Sequence, residues 1–184
     1  MTDIHAPDAV PAADAAPLEG FSGAHRGILC AMRAFAALPE FAAAAERSRQ
    51  VAITTLQLFE GTVLPHHADE ESELFPAVIR SATPGPERTH VEAMVDRLVA
   101  EHRSLESLWK MLRPAVKRAA AGITAQLDAE AVAALSYAYH RHAAFEETEF
   151  LPLAGEILAR NGNHMAALGL AIHLRHAPAP VAYI

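Results

Sequence analysis

Two stretches of this chain repeat one pattern of metal-binding side chains. His66-His67-Ala68-Asp69-Glu70-Glu71-Ser72-Glu73-Leu74-Phe75-Pro76 sets over His142-Ala143-Ala144-Phe145-Glu146-Glu147-Thr148-Glu149-Phe150-Leu151-Pro152. The histidine, the paired glutamates, the third glutamate and the proline coincide. On a helix, residues i and i+4 lie one above the other. A neutral imidazole at i can bind one metal while the carboxylate a turn away bridges to a second. Two such helices facing each other supply two bridging carboxylates. Nitrogen and carboxylate oxygen donors in a helical core suit iron or manganese, and zinc takes the same ligands. Cys30 is the single cysteine, so an iron–sulfur cluster is excluded, and as a small residue it is expected to be buried.

The elements that must position these groups read as helices. Apolar residues recur with a helical period on four faces. The first face holds Phe21, His25, Ile28, Met32 and Phe35, in a helix expected to end near Pro39. The second holds Leu56, Phe59, Val63, His66, Glu70, Leu74 and Ala77. Val91, Val95, Leu98, His102, Leu105, Trp109 and Leu112 form the third. Val132, Leu135, Tyr139, His142, Glu146, Phe150 and Leu153 form the fourth. Thr83-Pro84-Gly85-Pro86 and Gly122 break the chain between them. The expected fold is all-α, an antiparallel up-down-up-down four-helix bundle over residues 20–176. A short extra helix is expected at about Asn163 to Arg175. Residues 1–19 and 177–184, rich in Ala and Pro, are expected to be flexible tails.

Each stripe carries one histidine, at 25, 66, 102 and 142, and two add Glu70 and Glu146. Polar groups on a core stripe cost free energy unless something pairs them. Depth along the bundle supplies a reason. The midpoint between Glu70 and His102 is Pro86, and that between His102 and His142 is Gly122, so three helices bring these groups to one level. For His25 and His66 the midpoint falls near Ala45, which requires a loop or an extra turn over residues 40–47. Pro65 lacks an N–H and clashes with the Gly61 carbonyl, which predicts a kink beside His66. His67 lies about 100° around the helix from His66 and reads as a group at the rim or hydrogen-bonded behind the ligands, its own ligation left open. Glu71 and Glu147, offset alike, read as facing solvent or as hydrogen-bonding behind the ligands. Glu106, one turn beyond His102, is a candidate extra ligand.

Composition narrows the function classes. The chain has 184 residues, enough for one domain, and a formal net charge of −7. With no basic run interleaved with aromatics, nucleic acid is not an expected partner. No stretch reads as the roughly 20 apolar residues of a spanning helix, so no membrane partner is expected. The start lacks the pattern of a secretory signal. The expected location is the cytoplasm.

Leu64-Pro65-His66-His67-x-x-Glu70-Glu71-x-x-Leu74-Phe75-Pro76, Glu101-His102, His142-x-x-x-Glu146-Glu147 and the closing Ala167-Leu168-Gly169-Leu170 with Arg175 resemble the hemerythrin-like, or HHE cation-binding, family. The resemblance covers about residues 20–176. It implies a non-haem di-iron centre in a four-helix bundle, with His25, His66, His102 and His142 as terminal ligands and Glu70 and Glu146 as bridging carboxylates. It implies a small diatomic ligand or peroxide, and a role as oxygen carrier, as sensor of oxygen, nitric oxide or iron, or in iron-centre repair. Leu98 stands where oxygen carriers have a further histidine, which turns the expectation toward sensing, detoxification, iron handling or repair. A chain of this length would signal through a homodimer or a protein partner. The rival readings are a di-iron peroxidase or oxidase, and a structural bundle with a non-iron or empty site.

Overall fold

The computed structural model describes residues 15–160 together with Gly162, Ala166 and Gly169, with side chains from Ala24 onward. The N-terminal tail up to residue 14, most of the extra helix expected at 163–175 and the C-terminal tail lie outside the described residues. Every described element is helical. In chain order these are α1 (Ala15–Leu58), a π-helical turn π1 (Phe59–Val63), α2 (Leu64–Asp69), π2 (Glu70–Leu74), α3 (Phe75–Ser81), α4 (Pro86–Ala120), α5 (Ala129–Phe145), π3 (Glu146–Phe150) and α6 (Leu151–Ala159). The described segment contains three long helical rods where four were expected. The chain divides into two compact units, residues 1–47 and 48–184.

In the first unit α1 begins at Ala15, inside the stretch expected to be a tail, and continues through Pro39. The loop expected over residues 40–47 is helical. Phe41 to Arg47 is largely alanine, the strongest helix former, and a proline removes only one N–H from the ladder. The stripe expected to be core is exposed here: Ile28, Met32 and Phe35 keep more than half of their surface, and His25 and Cys30 are exposed as well. A single helix has no partner within its own unit against which to bury a face. The run Ala24–Ser81 holds an 18-residue window of mean hydropathy 1.5, none of it buried. By length and composition alone that run is apolar enough to cross a membrane, contrary to the reading of the sequence, although core helices of soluble proteins pass the same test.

The second unit has two apolar clusters. One joins Phe75, Val78, Val91, Leu98, Phe150 and Ile157. The other joins Ala52, Leu105, Trp109, Leu112, Val116 and Leu135. Along α4 the expected stripe is buried at every position from Val91 to Leu112. His102 falls between the clusters on α4, His142 and Glu146 fall between them on α5 and π3, and His67 and Glu70 fall between them on α2 and π2. A polar layer is thus held between two apolar ones. Phe150 is fully buried and meets Phe75 edge-on at 5.3 Å.

The turns are built from local chemistry. Gly85 adopts φ 107° and Gly122 φ 72°, backbone conformations that side chains disfavour. Pro86 opens α4, where its missing N–H is no loss. Asp128 caps α5 by accepting from the Glu130 and Ala131 amides at 2.9 and 3.1 Å. Glu87 accepts from the Thr83 amide at 2.6 Å and binds both Nη atoms of Arg160, at 2.8 and 2.7 Å. This clasp ties the Pro-Gly-Pro turn to the end of α6.

Truncation Phe150→Ala should cost about 3–5 kcal/mol in urea unfolding, as for a fully buried ring that leaves a cavity. The Glu87 clasp predicts a pH dependence. Hydrogen bonds from Arg160 and Thr83 pull its carboxyl down to about 2 from 4.5. A depressed pKa gives stability that is present above 4.5 and lost as pH falls toward about 2. Thermal unfolding of Glu87→Gln should therefore fall less steeply than wild type across that window.

Candidate metal centre

Each π turn widens the helix by one residue, and each is followed by the pair X-Pro. The amide of Leu64 bonds to the Phe59 carbonyl, that of Phe75 to Glu70, and that of Leu151 to Glu146, five residues back in every case. Pro65, Pro76 and Pro152 come next. A proline ring clashes with the carbonyl four residues before it and offers no N–H, so the preceding turn opens. The Ser72 and Thr148 hydroxyls donate to the Ala68 and Ala144 carbonyls at 2.7 and 2.8 Å, competing with the backbone ladder at matching positions of the repeat. The kink expected at Pro65 takes this form. Isolated π turns of this kind recur at functional sites.

The widening shifts the phase of the second stripe. From Val63 onward the buried positions are His67, Glu70, Phe75, Ala77, Val78 and Ala82, where unbroken periodicity predicts 66, 70, 74 and 77. Glu70 and Ala77 keep their places, while His67 and Phe75 replace 66 and 74. His67, expected at the rim, is 1% exposed, and His66 remains half exposed. The signal that could have placed it was Pro65 itself, which announces an extra residue in the turn just before the paired histidines.

Three imidazoles meet in the polar layer. The His67 ring stacks on His102 with centroids 3.9 Å apart, and His142 meets His102 edge-on at 4.8 Å. His102 and His142 turn Nε2 toward the inner carboxylates, to Glu70 at 3.4 Å and Glu146 at 3.5 Å, and Nδ1 toward outer ones, Glu71 at 2.9 Å and Glu101 at 3.2 Å. Glu70 also lies 3.2 Å from His66 Nε2. Glu106 stands 3.7 Å from His67 Nδ1. His67, His102 and His142 each offer a donor atom within 4.8 Å of the others, and so do His66, Glu70 and Glu146. His25 belongs to neither group and lies in the first unit. Glu147 and His140 are exposed.

Among the described residues, eight buried side-chain atoms lack a hydrogen-bond partner, and six of them belong to this cluster: both His67 nitrogens, Nε2 of His102 and His142, Glu70 Oε2 and Glu146 Oε1. Buried orphans of this kind are rare in folded proteins. Imidazole nitrogen and carboxylate oxygen are the donors that a divalent or trivalent cation takes. The residues present therefore fit a metal.

The charges of the cluster's own groups oppose one another. Burial, then Glu70 beside it, pushes Glu146 up to about 9. Glu70 stays below the usual range despite burial, through His102 and Glu146. Burial, then the other two rings, pulls His67 down to about 4. His142 is lowered, chiefly by burial. His102 is raised against its burial by Glu70 and Glu71. The carboxylate pair holds a proton where a cation would supply the positive charge.

The sequence profile described as the hemerythrin HHE cation binding domain matches residues 16–154, and that span includes the whole cluster. The chain belongs to the hemerythrin HHE cation-binding family. This hemerythrin-family chain is also 27% identical over 116 residues to an uncharacterised protein of Haemophilus influenzae. That match takes in 61% of the present chain and 64% of the relative, so the chain spans under two thirds of the relative's length. No solved structure matches. The family's cation binding and the His/Glu cluster agree on metal as the ligand class.

Beside the cluster lies an apolar cavity of about 300 Å³, lined in part by Phe59, Val63, Trp109, Leu112, Leu135 and Tyr139. Trp109 stacks on Phe59 at 4.2 Å. Tyr139 connects cavity and cluster, its ring 6.0 Å from that of His142.

The cluster predicts that its design opposes stability when no metal is bound. The raised Glu146 pKa gives stability that is complete below 4.5 and lost as pH rises toward about 9. The neutral isostere in Glu146→Gln has no such loss. The metal-free variant should match wild type near the low end of that window. By mildly alkaline pH it should gain about 1 kcal/mol, or about 2–4 °C in Tm, read by calorimetry in chelator.

Proposed function

We propose that this hemerythrin-family chain holds a non-haem di-iron centre and uses it to sense, handle or detoxify oxygen, nitric oxide or peroxide, or to serve iron homeostasis and iron-centre repair. The observation that carries the reading is the set of buried, unpartnered imidazole and carboxylate atoms on three helical rods. His102 and His142, with His67 beside them, would hold one iron. His66 would serve the other. Glu70 and Glu146 would bridge, since Glu70 already lies between His66 and His102. His25 is carried in the ligand set on the pattern of the family's four-helix bundle alone. Manganese and zinc are the competing metals for these donors.

Bound iron would supply redox chemistry and open coordination positions for a small ligand. The protein's part is to bind, orient and exclude water. The stacked rings and the two apolar clusters would exclude water from the buried side of the layer, around His67, His102 and His142, and the apolar cavity would give an uncharged diatomic molecule a place to collect. With Leu98 at the position of a further carrier histidine, the centre keeps more room for ligand than reversible carriage needs. A cytoplasmic chain of this kind would pass its signal to a protein partner or a second copy.

The deciding measurement is metal per chain by mass spectrometry, on protein from iron-supplemented cells purified without chelator. Two irons per chain are expected. His66→Ala and Glu146→Ala should each lose at least one of them, and His25→Ala tests the family-derived ligand. Full metal content in both His66→Ala and Glu146→Ala would overturn the assignment. Steady peroxide turnover that disappears with the metal would move the reading to an enzyme, and a zinc-loaded or empty site to a structural bundle.

A further inference from the structure

Two of the three buried imidazoles, His102 and His142, are each held from outside by a carboxylate on the preceding rod. Glu71, on π2, reaches His102 on α4 at 2.9 Å, and Glu101, on α4, reaches His142 on α5 at 3.2 Å. Both carboxylates sit one residue from a group that faces inward: Glu71 follows Glu70, and Glu101 precedes His102. Each has its own arginine. Arg103 Nη2 donates to Glu71 and Arg103 Nη1 donates to Glu106 at 3.1 Å. Arg97 Nε donates to Glu101 at 2.9 Å, with its guanidinium 3.6 Å from the Phe145 ring centroid.

An ionised carboxylate only accepts hydrogen bonds. The ring nitrogen facing it must therefore carry the proton, and the other nitrogen must keep its lone pair. We propose that Glu71 and Glu101 are positioning residues that fix His102 and His142 as Nδ1–H tautomers, so that both Nε2 lone pairs face the cluster. A histidine ligand whose far nitrogen is held this way is oriented and made more basic. Arg103 and Arg97 act on the clamps rather than the rings: they keep the outer carboxylates charged and aimed. The wiring is specific, because among the described imidazoles Glu71 addresses His102 alone and Glu101 addresses His142 alone.

The inference rests on the metal-centre reading for its purpose, but its test is independent of metal. The measurement is the histidine ¹⁵N–¹H correlation spectrum of the metal-free full chain at alkaline pH, where the rings are neutral, for wild type, Glu71→Gln and Glu101→Gln. Wild type should show a protonated Nδ1 and a bare Nε2 at both rings. Glu71→Gln should shift His102 toward the other tautomer and leave His142 alone, and Glu101→Gln should do the reverse. Both side chains are partly exposed, and the wild-type spectrum decides even if a variant folds poorly. Iron affinity should fall about 10–100-fold in each variant. Protonated Nε2 in the wild type, or rings indifferent to their paired glutamate, would overturn the clamp. Tautomers that follow the variants in a chain that takes up no iron would keep the clamp and overturn the metal-centre reading instead.

Discussion

The second unit is organised around a layer of imidazole and carboxylate groups buried without enough partners of its own. Removing such groups from water costs on the order of a few kcal/mol each when they stay unpaired. The apolar clusters on either side of the layer, one around Phe75 and Phe150 and the other around Trp109 and Leu112, supply the cohesion that holds it in place. The cost is then recoverable from a ligand that satisfies the orphan atoms, so that binding and folding reinforce each other.

Repetition of one local device produces the layer. Glu70 and Glu146 each begin a π turn that ends before an X-Pro pair, and each has a hydroxyl residue two places later that bonds back along its helix. The repeated sequence therefore encodes a repeated distortion as well as a repeated ligand pair. An undistorted helix would carry His66 and Glu70 on one face and leave His67 outside. The extra residue of π1 brings His67 inward instead, where it stacks on His102 and adds a third ring to the set.

Legibility from sequence followed regularity. On α4, where no π turn intervenes, every position read from Val91 to Leu112 is buried, with Met94 buried beside them. The breaks were announced by Pro86, which suits the first turn of a helix, and by Gly122, a residue that takes a positive φ without strain. The meeting of the rings on α4 and α5 followed from counting outward from those turns. On the second rod the count slipped by one, because a helical period assumes a constant twist and Pro65 signals that the twist changes without saying by how much. Pro39 misled in the opposite direction: the alanine run after it sustains α1. The outer carboxylates were harder still. Glu71 and Glu101 lie off the core stripes, and only the packing of neighbouring rods brings them to ring nitrogens.

The two halves of the cluster differ in access, and that difference bears on what can reach it. His102, His142 and His67 are sealed, whereas His66 keeps about half its side-chain surface, 49%, in water. A charged species, whose desolvation is costly, would approach from the His66 side, where the layer meets solvent. The apolar cavity beside the cluster would instead suit an uncharged apolar solute, because such solutes partition out of water into apolar spaces. Tyr139 stands between that cavity and the rings, with its phenol raised above the ordinary range by burial and then by Glu146 and Glu70. It therefore stays a neutral O–H at physiological pH. The side chain between the cavity and the polar layer thus presents a hydrogen-bond donor without a charge.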